Sequence, residues 1–550
     1  MCELINPWTS VVPAPNALVM LDGACAHVRI SDRDGDSPVT VYAEDTNLSS
    51  AVSELISVLV PAKAITDPAE ACVVVLPVAD SSRSKADAAI DARSNGDEVW
   101  TVECRPVNGR PLSTEPNIRD AGNQRHEERT GRLTISASGY RGVMRAAAVV
   151  AQALCRASRD AGGRVLPPAR VEGRPRYPWR GVMLDSARHI FPVDAICKLM
   201  DFASLHGINV FHWHLSDDQG WRIPSKEFPE LEQVAAWRDD NTTDFGQYGG
   251  VYDRADIDYV VNYAARRGII VVPEIDIPGH VRAVLAAKPE LSCTNEQLPI
   301  PKRHGVFADV LCAGEPRSHK FLKTVFSELC DLFPGRFVHV GGDECPSTRW
   351  QTCPKCQQRM SEKGLDSASL LHGDLVNTAV ETLLSHDRIP VAWDEVLESS
   401  VPVSVIIMCW RNREAVHSAL EAGHDVVSCP TDRACYFDHK HIADPSEPGR
   451  LSVCTVKDTY TFELTHAEEG ASPKSKPQVI GSQGVLWTEE VLYGRQIEYL
   501  MWPRLAALAE VLYGTTSQNW PDASSRLRSH AELLQRNGLA CYLGPFEQTG

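Results

Sequence analysis

Phe337-Val338-His339-Val340-Gly341-Gly342-Asp343-Glu344 reads as a short apolar run, then two glycines, then two adjacent carboxylates. The run has the length and composition of a strand buried on both faces. Paired glycines permit backbone turns closed to other residues, so the acidic side chains leave the core in a set direction. Asp-Glu pairs usually belong to solvated loops; behind a buried strand and two glycines this pair reads as a site.

The same arrangement recurs on both sides of it. Apolar runs lie at Gly181 to Asp185, Ile208 to His214, Ile269 to Ile275, Phe337 to Gly341, Pro390 to Trp393, Val403 to Trp410, Asp425 to Ser428 and Val479 to Trp487, with helical patterns between them. Alternating strands and helices indicate parallel strands with crossover helices. An open doubly wound sheet gives the same alternation, and the strand ends favour a closed (β/α)8 TIM barrel, whose chemistry sits at the C-terminal ends of its strands. Those ends are rich in carboxylates and indoles, which suit a polyhydroxylated ligand needing both hydrogen bonds and flat apolar platforms. Two connections, Gln219 to Arg254 and His439 to Pro477, are long for a barrel and are expected to shape the entrance.

Upstream of the barrel, residues 1–175 show short β-rich runs such as Cys72 to Val78 and Leu133 to Ser136, wide polar stretches, and one clear helix from Val143 to Ala153. This predicts a smaller α+β domain, followed from residue 176 to 550 by the barrel with C-terminal helices.

The chain has 550 residues, 43% hydrophobic and 23% charged, which fits a folded globular protein. Its 55 Lys and Arg against 72 Asp and Glu give a net charge of −17, which repels phosphate backbones and argues against nucleic acid as a partner. No apolar run is long enough to span a membrane. The N-terminus lacks a basic region and carries early prolines, which predicts a cytoplasmic protein whose 17 cysteines are reduced thiols. Acceptor patterns for glycosylation at Asn47 and Asn241 are discounted on the same ground. The oligomeric state is left open, a homo-oligomer included.

Glycoside hydrolysis commonly places two carboxyl groups on opposite sides of the scissile bond. Neighbouring residues at a strand end diverge, so Asp343 and Glu344 suit that task poorly unless the substrate supplies its own nucleophile. The strings RGVMLDSARH at 180–189, HWHLSDDQGWR at 212–222, PEIDIPGH at 273–280, HVGGDE at 339–344, WDE at 393–395 and WTE at 487–489 together resemble family 20 of the glycoside hydrolases, the β-N-acetylhexosaminidases. The resemblance covers about 177 to 515, and more weakly the stretch Leu133 to Leu154.

That resemblance implies a retaining enzyme that removes terminal N-acetylglucosamine or N-acetylgalactosamine from β-linked oligosaccharides or glycoconjugates, using the substrate's 2-acetamido oxygen to form an oxazolinium ion. It implies no cofactor and no metal at the site. Glu344 would be the general acid and then the base, with a pKa raised by partial desolvation. Asp343 would hold the acetamido N–H, Tyr436 would donate to its oxygen, and Trp393, Trp410 and Trp487 would enclose its methyl group. Arg188 and Glu489 would grip sugar hydroxyls, Asp438 the 6-hydroxyl, and Asp217 and His280 would orient the acidic pair. Members often carry a further Trp after the Tyr-x-Asp motif, whereas no Trp occurs here between Phe437 and Leu486.

Three rivals accompany this reading. His212 and His214, with His280, Asp343 or Asp394, have a spacing usable by a metal-dependent hydrolase; the two histidines are instead expected to pack and hydrogen-bond inside the barrel. Asp394 and Glu395 are read as supporting charges rather than as the catalytic pair. A sugar-binding protein without chemistry has no use for Glu344, and a disaccharide-releasing enzyme of the lacto-N-biosidase type needs a larger sugar pocket. Cys345, Cys353 and Cys356 supply half of a zinc pattern, and free thiols are the expected state.

Overall fold

In the computed structural model, the described residues are 6–20, 28–30, 38–67, 71–76, 98–106, 129–160, 163–239, 246–432, 434–464, 477–514 and 519–547. The Asn241 acceptor pattern and parts of both long connections fall outside them.

Eight strands close into a parallel barrel. They are β1 (Trp179–Asp185), β2 (Val210–His214), β3 (Ile270–Glu274), β4 (Phe337–His339), β5 (Ile389–Trp393), β6 (Ile406–Cys409), β7 (Val426–Ser428) and β8 (Val479–Gly484). Six of the eight expected runs contain their strands, while β1 begins two residues and β5 one residue before the expected run. The runs at Val403 to Trp410 and Val479 to Trp487 overshoot, because their final residues have turned out of the ladder to form the mouth. Closure between β8 and β1 pairs Trp179 with Gly481. Gly481 is required there, since a Cβ would collide with the Trp179 carbonyl.

Amphipathic helices supply the outer ring, among them Val193–Leu205, Arg254–Arg266, Pro316–Leu332 and Leu371–Ser385, each burying one apolar stripe. The Arg254–Arg266 helix begins on a capping box between Asp253 and Asp256, which satisfies two of the donors that every helix start leaves open. Helices Gly494–Met501, Arg504–Tyr513 and Trp520–Arg536 complete the chain.

The smaller N-terminal domain is a ten-stranded mixed sheet. Its final strand, Ala169–Gly173, ends shortly before β1. Helix Tyr140–Arg156, buried from Tyr140 through Leu154, docks this domain onto the barrel. Its Arg145 donates to the carbonyls of Ser204 and Arg267, and its Gln152 to that of Leu205. Glu98 of the small domain is fully enclosed and pairs with Arg180 on β1. It also lies within 3.9 Å of Arg141 and 3.8 Å of Arg145. Those cations and Asn209 hold its carboxyl below the usual range against the opposing effect of burial. Among the described residues, no helix is long and apolar enough to cross a membrane.

Candidate active site

The end of β4 brings Asp343 and Glu344 to the barrel mouth in different surroundings. Gly341 and Gly342 adopt φ of 70° and 104°, and Glu344 itself has φ of 46°. A left-handed non-glycine residue costs about 1–2 kcal/mol, and here it turns Glu344 outward while Asp343 points inward. The Glu344 side chain is 41% exposed and that of Asp343 11%. A Cβ at Gly341 would occupy the place of the Asp276 carboxylate, so the glycine lets Asp276 approach from the end of β3.

Asp276 and Asp343 act as one acid pair. Burial, followed by the charge of Asp343, pushes the Asp276 carboxyl well up. Burial also raises Asp343, while His280 and a hydrogen bond from Asp276 oppose it. Asp276 therefore keeps the proton and donates to Asp343, and the Gly342 N–H donates to Asp276 at 3.0 Å. Apart from the bond between the two carboxyl groups, Asp276 Oδ2 and Asp343 Oδ1 are buried with no hydrogen-bond partner among the described residues.

Glu344 lies 3.5 Å from His280 Nε2, whose Nδ1 contacts Asp217 at 3.2 Å and Asp218 at 3.1 Å. Burial favours a neutral His280, yet the surrounding carboxylates outweigh it and hold the ring as imidazolium. That cation holds Glu344 below its ordinary range, which corrects the expectation of a raised value. In the free protein Glu344 is too exposed, and too close to a positive ring, for desolvation to dominate. His280 also has a left-handed backbone, φ 50°.

Asp217 links this pair to Arg188 at the end of β1. It accepts from Arg188 at 2.9 Å and from His214 at 2.9 Å. Burial opposes its ionisation, but Arg188 and His280 keep it far below the usual carboxylate range. Arg188 also reaches Gln219 at 3.2 Å and Asp185 at 3.4 Å, and stacks over Trp487 at 4.8 Å.

Four aromatic side chains lie at or past the ends of β5 to β8, and one of them, Tyr436, feels the charge of Asp343. Trp393 and Trp487 lie 6.0 Å apart, and Trp410 stacks on Tyr436 at 6.2 Å. Trp393 is fixed by donating to Glu274 at 2.9 Å, and Trp410 by donating to Glu395 at 3.0 Å. Tyr436 accepts from Trp487, and burial pushes its phenol well up, so it stays a neutral donor. A cleft of about 380 Å³ opens beside Glu344 and Glu395. A larger one of about 720 Å³, bordered by Lys355 and Asp374, lies among helices away from the mouth and contains none of these side chains.

At the opposite rim Arg450 joins two carboxylates, donating to Asp438 at 2.8 Å and to Glu489 at 2.6 Å. Asp438 Oδ1 and Glu489 Oε2 remain buried and unpartnered. Burial raises Asp438 to about 6 despite Arg450.

The catalytic-domain model of glycosyl hydrolase family 20 matches residues 177–516, well over half of the chain. The chain belongs to that family. It is 34% identical over 389 residues to the β-hexosaminidase of Porphyromonas gingivalis, covering 70% of this chain and 49% of that one. With the β-hexosaminidase of Vibrio furnissii it shares 34% over 388 residues, or 68% and 63% of the two chains. The match thus spans from about half to under two thirds of these relatives' lengths. The solved structure of a family 20 exo-β-N-acetylglucosaminidase from Vibrio harveyi, in complex with N-acetylglucosamine, superposes with a TM-score of 0.78 at 24% identity, over 98% of this chain and 79% of that one.

Within this family 20 chain every residue expected at the site lies at the barrel mouth. His212 and His214 are turned inward onto Glu274, at 2.9 and 2.6 Å. Gln483 contacts the other nitrogen of His212 at 2.9 Å, and Asp217 that of His214. His339 joins the same carboxylate at 3.0 Å. Burial lowers His212 to about 4, whereas Glu274 overcomes burial and raises His214 to about 10. The two expected histidines thus pack and hydrogen-bond inside the barrel, with His214 against Trp487 at 4.9 Å and His339 against Trp393 at 4.7 Å. Asp394 pairs with Arg411 at 2.8 Å, and Glu395, raised to about 8 chiefly by burial, supports Trp410.

Sequence reasoning missed Arg450, Glu274 and Asp276. The last two stand in the quoted PEIDIPGH string, where strand-end position was the available signal. Arg450 lies in a long connection with no pattern around it. Of the three cysteines singled out, Cys345 belongs elsewhere. It packs against Gly279 beside the acidic pair, while Cys353 and Cys356 meet Cys293 and Cys312.

Proposed function

We propose that the protein is a retaining exo-β-N-acetylhexosaminidase that releases terminal N-acetylglucosamine or N-acetylgalactosamine by participation of the substrate's acetamido group. The observation that carries this reading is the unlike setting of two adjacent carboxylates. Asp343 is buried and hydrogen-bonded by Asp276; Glu344 is turned outward on a left-handed backbone. Environments that separate two carboxyl groups assign them separate roles.

Asp343 accepts the acetamido N–H and orients the carbonyl oxygen toward the anomeric carbon, with Tyr436 donating to that oxygen as charge develops. Trp393, Trp410 and Trp487 hold the methyl group. Glu344 protonates the departing oxygen, and the oxazolinium ion forms as the glycosidic bond breaks. Glu344 then takes a proton from the water that opens it, which gives net retention. Covering by the aglycone removes water from Glu344 and raises its proton affinity from the low value of the free protein. Arg188, Glu489 and Asp438 bind hydroxyls of a single terminal sugar, and this supports an exo mode over disaccharide release. The fifteen described cysteines are thiols, which supports action in a reducing cytoplasm; activity found chiefly in culture medium would count against that location.

The test compares aryl β-glycosides bearing 2-acetamido, 2-trifluoroacetamido and 2-hydroxy groups. Turnover should be confined to the amides and fall as fluorine weakens the carbonyl nucleophile. Equal turnover of the 2-hydroxy sugar demands a protein nucleophile and removes the mechanism.

A further inference from the structure

Four cysteine sulfurs from two barrel loops converge. Cys293 and Cys312 lie on the connection after β3, Cys353 and Cys356 on that after β4. All four sulfurs fall within 4.8 Å of one another. Cys312 and Cys356 are 3.5 Å apart, Cys293 and Cys356 3.8 Å, and Cys312 and Cys353 3.8 Å. Each is a thiol, three of them buried. A disulfide would draw two sulfurs to about 2.05 Å. A zinc ion with four thiolates at about 2.3 Å gives a tetrahedron whose edges are about 3.8 Å.

The backbone around the cluster is built for close approach. Cys353 and Cys356 form a Cys-x-x-Cys turn at the start of helix Pro354–Lys363. A Cβ on Gly314 would strike the backbone of Lys355 and Cys356, and the Gly314 N–H donates to the Cys356 sulfur. The Lys355 ammonium interacts with Cys312. Four thiolates and one divalent ion carry a net charge of −2; this N–H offsets part of it, and the Lys355 ammonium is shared with Glu315 at 2.5 Å.

We propose that Cys293, Cys312, Cys353 and Cys356 bind a structural zinc ion that staples the loop carrying His280 to the loop carrying Asp343 and Glu344. Four protein ligands close the tetrahedron, so the ion has no open position for substrate or water. Binding releases the thiol protons to solvent. The sequence showed only the Cys-x-x-Cys half, because its partners lie far apart on another loop.

Metal analysis of the full chain, purified without chelators or added metal, should find about one zinc per chain. A mercurial reagent should release it, detected by a chelating dye. Cys293→Ser and Cys356→Ser should each abolish retention, whereas Cys345→Ser should keep the ion. Protein produced with cobalt should show intense thiolate-to-cobalt charge transfer and tetrahedral d–d absorption. The cobalt spectrum and the wild-type zinc content decide the matter even if the serine variants do not fold. Near-zero metal in the wild type, with four free thiols or two disulfides found by mass spectrometry, overturns the proposal, as does a cobalt spectrum without thiolate bands. None of these readouts is glycosidase activity, so the zinc site can fail while the proposed function stands, and the reverse.

Discussion

Replacing Arg450 by Met should weaken sugar binding in a way that pH reports. Arg450 makes one bond to Asp438 at 2.8 Å and one to Glu489 at 2.6 Å, and its side chain is 30% exposed. A hydrogen bond to a charged group contributes about 1.5–3 kcal/mol, and discounting two of them for solvent screening leaves roughly 2–4 kcal/mol. Those bonds hold the two carboxylates rather than the sugar, so the figure is an upper bound, and at about 1.4 kcal/mol per factor of ten kcat/KM on an aryl N-acetyl-β-glucosaminide should fall by no more than roughly 800-fold.

Asp438 supplies the sign of the pH effect. Burial raises its carboxyl to about 6, and Arg450 is the main group opposing that rise. The ionised form accepts from the 6-hydroxyl, so wild-type kcat/KM should fall as pH drops through about 6. Removing Arg450 raises the carboxyl further, and the variant's acidic limb should move to higher pH. A 6-deoxy substrate should lose this limb in both proteins. An acidic limb that stays in place in Arg450→Met, or that persists unchanged with the 6-deoxy sugar, refutes the assignment of Asp438 and Arg450 together.

Other perturbations separate the remaining parts of the site. Glu344→Gln should lower kcat about 10²–10⁴-fold on substrates with poor leaving groups, and much less in the bond-breaking step when the leaving phenol is strongly activated; equal losses on both would deny Glu344 its role as acid. Wild-type activity should decline on the alkaline side, where Asp276 loses its raised proton and two carboxylates face each other. Asp276→Asn keeps a donor at every pH, so its alkaline decline should be displaced to that imposed by Glu344 losing its proton as the acid, and an alkaline limb that superimposes on the wild type's would show that Asp276 does not hold the proton. Glu274→Gln leaves three histidines and Trp393 without their shared anchor and should cost roughly 3–5 kcal/mol of stability, read as a lowered midpoint of denaturant unfolding; a shift within experimental error would mean that the histidines and Trp393 repack around the amide.

The barrel was legible because each of its strands is a short apolar run ending in polar or aromatic residues, a pattern that local composition carries by itself. The acidic pair and the three pocket tryptophans were legible for the same reason, each sitting at or just past a strand end. What the sequence hid were relations between distant loops. Arg450 reaches Asp438 and Glu489 from a connection that matches no pattern, and Cys293 and Cys312 join Cys353 and Cys356 only once β3 and β4 lie side by side. The ionisation of Glu344 was hidden differently. The residue type shows that it can act as an acid, but not that a positively charged His280 stands 3.5 Å away.

Glu98 gives the two domains a shared fate. Its carboxylate comes from the smaller domain, while Arg180 and Asn209 meet it from β1 and the turn before β2. A barrel produced without residues 1–175 would lose the carboxylate that pairs with Arg180 and would open to water the surface that helix Tyr140–Arg156 now covers. A cut at the domain boundary therefore divides the chain but not the cooperative unit. Grafting this barrel onto another N-terminal domain would require a carboxylate at the same spot, so the pair is inherited as one piece rather than as interchangeable modules.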